Sequence, residues 1–289
     1  IQNAGRFGDG MTPWSDRTGR FSPLRLTTFV LVAAPGLLLA AALGTGALGG
    51  NALKTATHET GLWAIYFLLG SLAVTPMMRI ARWPRLVIVR RMLGLAAFVY
   101  LAAHFGLYIA DLSGNLVKVA SEIILRFYLL IGFIAVLGLS ILAVTSTDRM
   151  IRRLGPNWRR LHQASYALTA LGIWHFFIQS KLDVSEPTLM AGVFLFLMGF
   201  RLLPTLGLSA GPLTLVCLTV ATAVATVLLE IGWFAATSTI SLHQVWLSNF
   251  DFTFMIRPVW WVLGSGLVLA AVAALRGAPQ RSRRAEVAA

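Results

Sequence analysis

Among side chains able to hold a redox cofactor or a metal, the chain offers five histidines and a single cysteine, Cys217. One thiol excludes an internal disulfide, a four-cysteine iron–sulfur cluster and a CxxCH haem attachment. Imidazole chemistry remains, and the spacing of the imidazoles is informative. His104 follows Arg91 by 13 residues and His175 follows Arg160 by 15, each within an apolar stretch. At about 1.5 Å of rise per residue, both rings stand roughly 20 Å from a basic belt and match in depth to within about 3 Å. Two imidazoles at one depth on parallel helices can ligate one haem iron from opposite faces. A lone His in such a stretch serves equally well as an interhelical hydrogen-bonding group. The depth match is what favours ligation for this pair.

His162 begins the helix that carries His175, 13 residues before it. It marks a second level about 20 Å away, although an ideal helix turns the two side chains roughly 140° apart. The position 13 residues before His104 is Arg91, so the second level lacks a matching imidazole. Three arrangements stay open: a five-coordinate haem on His162, a different second ligand, or a single haem at the His104/His175 level. Met77, Met78 and Met92 lie at a suitable depth to supply a thioether. The plain alternative for His162 is an interfacial residue beside Arg159 and Arg160. Arg90 and Arg91 suit the carboxylates of haem propionates. His58 and His243 fall in connecting segments, where a solvated role is the default.

The elements that must position these residues follow from composition. A chain of 289 residues with 57% hydrophobic and 12% charged side chains is an integral membrane protein. Eight predominantly apolar stretches lack Asp, Glu, Lys and Arg, namely 26–53, 60–78, 92–110, 127–147, 161–180, 187–200, 202–229 and 258–275. Since about 20 apolar residues cross a bilayer as a helix, the expectation is an all-α polytopic bundle of about eight transmembrane helices. The runs are continuously apolar, which excludes a β-barrel. The expected organisation is a cytoplasmic segment over 1–25, a six-helix haem-binding core over 26–204, two further helices joined by an external loop over 205–275, and a basic cytoplasmic tail over 276–289. The first run, 28 residues long, is too long for the core of a cleaved signal peptide.

Charge then sets orientation. The excess of 24 Lys and Arg over 11 Asp and Glu gives +13, and 19 of the 24 basic residues fall in one alternating set of connections against 5 in the other. The positive-inside rule places the 19 in the cytoplasm, with both termini there. The basic balance is therefore a topology signal, and nucleic-acid binding is a poor reading of it. No connection is long enough for a nucleotide-binding domain. The string from Gly44 to Gly49 matches GxGxxG but closes an apolar helix, so it is a helix-packing or helix-end segment. Trp63, Trp174, Trp233, Trp246, Trp260 and Trp261 fit an aromatic belt. Glu230 ends its run either as a solvated residue or as the mark of a quinone or proton site.

Residues from about 60 to 204 carry a series of recognisable blocks. They are Thr60-Gly-Leu-Trp63, Ala73-Val-Thr-Pro76, the run from Arg90 to Phe98 leading to Tyr100 and His104, Thr145-Ser-Thr147, Leu154-Gly155, Trp158-Arg-Arg-Leu-His162, Tyr166 and His175-Phe176. In this order they resemble the MsrQ (YedZ) family, the haem-binding membrane subunits of periplasmic methionine-sulfoxide reductase systems, within the ferric reductase-like transmembrane family. The resemblance covers half of the chain. It implies electron transfer through b-type haem, one or two per chain, in the bacterial inner membrane, with His104, His162 and His175 as iron ligands. It implies electrons from the quinone pool or a cytoplasmic flavin reductase, and a periplasmic molybdopterin-containing reductase as acceptor, repairing methionine sulfoxide in oxidised proteins. FMN is associated with the family, although no flavin motif occurs here. The last 85 or so residues depart from the short form of the family. Two other readings are a haem-dependent ferric or cupric chelate reductase and a haem-free scaffold subunit of a larger membrane complex.

Overall fold

The computed structural model describes residue 14 and residues 20–181, 183–253 and 255–277. Arg6 and Arg17, and the tail beyond Gly277 with Arg281, Arg283 and Arg284, lie outside the described residues. The described residues form helices and no sheet: α1 (Pro23–Gly44), α2 (Ala52–Ile80), α3 (Val87–Asp111), α4 (Leu116–Leu125), α5 (Phe127–Val144), α6 (Asp148–Leu154), α7 (Pro156–Ser180), α8 (Ser185–Leu202), α9 (Pro212–Thr237), α10 (Leu242–Ser248) and α11 (Pro258–Leu275). The all-α expectation holds.

The number of spans does not. Six helices among the described residues, rather than eight, are long and apolar enough to cross a membrane: α1, α2, α3 with the turn before it, α5, α9 and α11. The stretches at 161–180 and 187–200 were expected to span because they lack Asp, Glu, Lys and Arg, a test that uncharged polar side chains pass. The helix α7 carries His162, Gln163, Ser165, Tyr166, Thr169, His175, Gln179 and Ser180, and these lower its hydropathy. The helix α8 is 18 residues long with Glu186 and Arg201 inside that length, so it reaches the length of a span only by including two charges. Polarity along α7 is what a helix carrying two candidate ligands shows when its inner face is not purely apolar.

Local chemistry sets the helix ends. Proline stands in the first turn of α1, α9 and α11, where its missing N–H costs no intrahelical bond. Asn115 and Thr147 accept from the backbone N–H groups of Lys118 and Met150, at 3.0 and 3.3 Å, and so cap α4 and α6. The GxGxxG string is a helix end: α1 stops at Gly44, and Gly46 and Gly49 adopt φ of 74° and 75°, a backbone region open to glycine.

The described helices fall into two compact units, divided between Val74 and Thr75, between Arg85 and Leu86, and between Leu168 and Thr169. The first holds α1, most of α2, α3 to α6 and the first half of α7. Its core is built from Ala64, Phe67, Leu68, Ala96, Ala97, Tyr100, Leu139 and Leu142. Tyr100 ties α3 to α1: its hydroxyl donates to Val32 O at 2.8 Å and accepts from Gly36 N–H at 2.6 Å. The phenol thus inserts into the α1 ladder beside Pro35, where the helix cannot be continuously bonded. The second unit packs α8, α9 and α11 together, with α10 against α9. Gly192 and Gly266 permit close approach there, since a side chain on either would strike Thr226 or Thr219 of α9.

Candidate functional site

His104 sits on α3, one turn beyond the core residue Tyr100, and is half-buried. Its Nδ1 lies 2.7 Å from the backbone carbonyl oxygen of Thr57 on α2. A carbonyl only accepts, so Nδ1 carries the proton and donates, and in the neutral ring the lone pair resides on Nε2. This is the tautomer a metal-ligating imidazole needs, fixed by a backbone partner on a neighbouring helix. Gly61, one turn after Thr57, makes room for the ring: a Cβ there would lie 2.8 Å from Nδ1 and 3.0 Å from Cε1. Thr57 and Gly61 therefore form a notch on α2 into which the His104 ring is set.

His162, near the start of α7, is placed differently. Its ring stacks on Trp158 of its own helix with centroids 4.0 Å apart. Its Nδ1 lies 3.1 Å from Trp158 O, and its Nε2 lies 3.3 Å from the hydroxyl of Ser146 at the end of α5. Trp158 is itself anchored, donating from Nε1 to Thr145 O at 2.9 Å, while the Ser146 hydroxyl donates to Leu142 O at 2.7 Å. Both ring nitrogens thus have protein neighbours. Burial holds the imidazole below its ordinary pKa, opposed by bonds to the Trp158 and Leu142 backbone and assisted by the nearby Arg90 charge.

Of the two arginines assigned to propionates, Arg91 pairs with Asp148 at 2.6 Å with both side chains largely exposed. The backbone carbonyl of Arg90 accepts from Ser71 at 3.2 Å. His175 lies in the second half of α7, half-buried between Ile173 and the buried pair Phe176 and Phe177. His104 and His162 belong to the first unit and His175 to the second. Among the described residues no group of three or more His, Cys, Asp or Glu side chains could hold a bare metal ion. A haem places no such demand, since its macrocycle supplies the equatorial donors and the protein only the axial ones. The His104 tautomer and its glycine notch fit that requirement.

Sequence reasoning missed Thr57, Gly61 and Ser146 as partners of the histidines. A backbone acceptor leaves no side-chain signature, so Thr57 was invisible. Gly61 was visible as a glycine inside an apolar helix, a residue that costs helix stability unless something approaches closely.

Comparison with known proteins adds the following. Residues 60–173 match the family model described as the ferric reductase like transmembrane component. A protein of Xanthomonas oryzae pv. oryzae (strain MAFF 311018), named protein-methionine-sulfoxide reductase heme-binding subunit MsrQ, is 42% identical over 159 residues, covering 55% of this chain and 73% of the relative. One of the same name from Rhodospirillum rubrum is 38% identical over 191 residues, covering 65% of this chain and 89% of the relative. No solved structure matches.

Proposed function

This chain belongs to the MsrQ family of haem-binding subunits of protein-methionine-sulfoxide reductases, and from that premise we propose that it carries electrons through b-type haem within the bacterial inner membrane. Bound haem supplies a reversible one-electron iron couple. The chain's own residues hold, orient and bury it. The observation that carries the reading is the His104 ring, held by Thr57 O over the Gly61 notch with its lone pair on Nε2.

His104 and His175, at matched registers on α3 and α7, and His162, near the start of α7, are the side chains that would hold haem iron. At His162, Trp158 O keeps the proton on Nδ1, and the Ser146 oxygen, whose proton goes to Leu142 O, stands beside Nε2. Arg90 lies beside His162 and carries the positive charge that a propionate would meet there. The even number of spans among the described residues and the excess of basic residues in one set of connections support both termini in the cytoplasm.

The donors in this reading are the quinone pool or a cytoplasmic flavin reductase. The acceptor is a periplasmic molybdopterin enzyme that reduces methionine sulfoxide, so the substrate chemistry lies on the partner. A pyridine haemochrome assay on purified protein tests the ligand assignment. His104→Ala and His175→Ala are each expected to lower the haem content per chain, and His162→Ala to lower it or leave it unchanged. A chain without haem, or one whose haem survives both His104→Ala and His175→Ala, overturns it.

A further inference from the structure

Met255 lies outside the histidine chemistry, in the connection between α10 and α11 of the second unit. Its side chain is 44% exposed, and two hydrogen-bond donors converge on its sulfur. Ser185 Oγ, at the first residue of α8, is 3.7 Å away, and Arg257 Nη1, at the N-cap of α11, is 3.9 Å away. Arg257 is itself anchored. Its side chain is 18% exposed and its Nη2 pairs with Glu230 of α9, which is 1% exposed. Glu230 also accepts from Asn249 Nδ2 at 3.2 Å. Burial on this scale removes the alternative that Glu230 is merely solvated at the end of its run.

A thioether is a weak acceptor, so two donors on one sulfur contribute little while it stays reduced. A peroxide changes their value. The sulfur lone pair attacks one oxygen of hydrogen peroxide, and the S–O bond forms as the O–O bond breaks. The departing hydroxide takes the proton of the attacked oxygen and leaves as water. Sulfur gives up two electrons and the peroxide receives them. Negative charge develops on the departing oxygen in the transition state, where donors already in place are most effective. The product is a polar sulfoxide, whose oxygen accepts more strongly than sulfur does. The Arg257 nitrogen that faces the sulfur, Nη1, is not the one that holds Glu230, so the guanidinium can bond the sulfoxide oxygen without releasing its carboxylate.

We propose that Met255 is a site of oxidative modification by peroxides, at which Ser185 and Arg257 speed formation of the sulfoxide and then hold its oxygen. The modified side chain ties the connection after α10 to the first turn of α8 and to the N-cap of α11. A chain related to subunits of methionine-sulfoxide reductases thereby forms a methionine sulfoxide of its own. The inference goes beyond the electron-transfer reading and does not rest on it, since its groups are a thioether, a hydroxyl and a guanidinium and none is a histidine.

Timed treatment of the detergent-purified full chain with hydrogen peroxide, read by mass-spectrometric peptide mapping of each methionine, tests it. Met255 is expected to be oxidised ahead of Met77, which is nearly as exposed at 41% and serves as a reference within the same sample. Ser185→Ala deletes one donor and leaves the pair between Arg257 and Glu230 in place. It is expected to slow oxidation of Met255 by about twofold to tenfold, with the rate at Met77 and the melting temperature unchanged. His104→Ala is expected to oxidise Met255 as the unaltered chain does, which keeps this outcome separate from that of the haem assignment. Oxidation of Met255 no faster than of Met77, an unchanged rate in Ser185→Ala, or a rate that falls in His104→Ala overturns the proposal.

Discussion

His104 and His162 lie in one unit of one chain, and their rings are held in opposite ways. His104 is fixed from outside its helix, by a carbonyl of α2 and a notch where α2 has no side chain. His162 is fixed chiefly by its own helix, stacked on Trp158 and bonded to the carbonyl one turn back, with Ser146 at its second nitrogen. The first arrangement settles a tautomer and clears space beside the ring. The second anchors the ring between α5 and α7 and occupies both nitrogens. The two histidines look alike in sequence, and what separates them is where the partner of each Nδ1 lies, on a neighbouring helix for His104 and on its own helix for His162.

The largest expected break in the comparison is at Gly61. Gly61→Leu drives a side chain against the His104 ring and is expected to reduce haem affinity at that level by about tenfold to a hundredfold. The fall is read as Soret absorbance per chain, with helix content unchanged by circular dichroism. A haem content as high as in the unaltered chain would remove the notch from the account. Trp158→Leu strips His162 of its stacking partner and α5 of the Nε1 bond to Thr145 O. Its expected cost is about 2 kcal/mol of stability, seen as a lower melting temperature with haem retained at the His104 level.

Ser146→Ala is smaller, about 1 kcal/mol or less in stability, because the hydroxyl contact to His162 is long. It sharpens the comparison in the other direction. By clearing the oxygen beside Nε2 it is expected to raise haem retention wherever His162 ligates, as measured by haemochrome titration. The smallest effect belongs to Arg91→Ala. The exposed pair with Asp148 contributes about 1 kcal/mol at most, and the difference in melting temperature from the unaltered chain is expected to shrink as salt is raised.

Much of this was legible in the sequence and some was not, for physical reasons. The all-α membrane architecture followed from long uncharged runs, and the histidines stood out because ionisable groups are rare inside them. The count of eight spans fails at α7, where freedom from charge is not apolarity, and at α8, whose uncharged run is too short to cross without Glu186 and Arg201. The glycine string after α1 was read correctly as a helix end, since its flanks were wrong for a phosphate loop. The helices α6 and α10, seven residues each, are too short to show a periodicity. Glu230 was left between solvated and functional; its burial depends on Arg257 and Asn249, 27 and 19 residues away, a pairing that no local pattern encodes.

The central claim is that His104 presents Nε2 to a haem iron from a pocket shaped by Thr57 and Gly61. Optical spectroscopy of His104→Gly with and without added imidazole tests it most directly. The account predicts that the Soret band of that haem is lost or shifted in the variant and restored by free imidazole entering the vacated space. A His104→Gly protein whose haem spectrum matches that of the unaltered chain, with no response to imidazole, would contradict it.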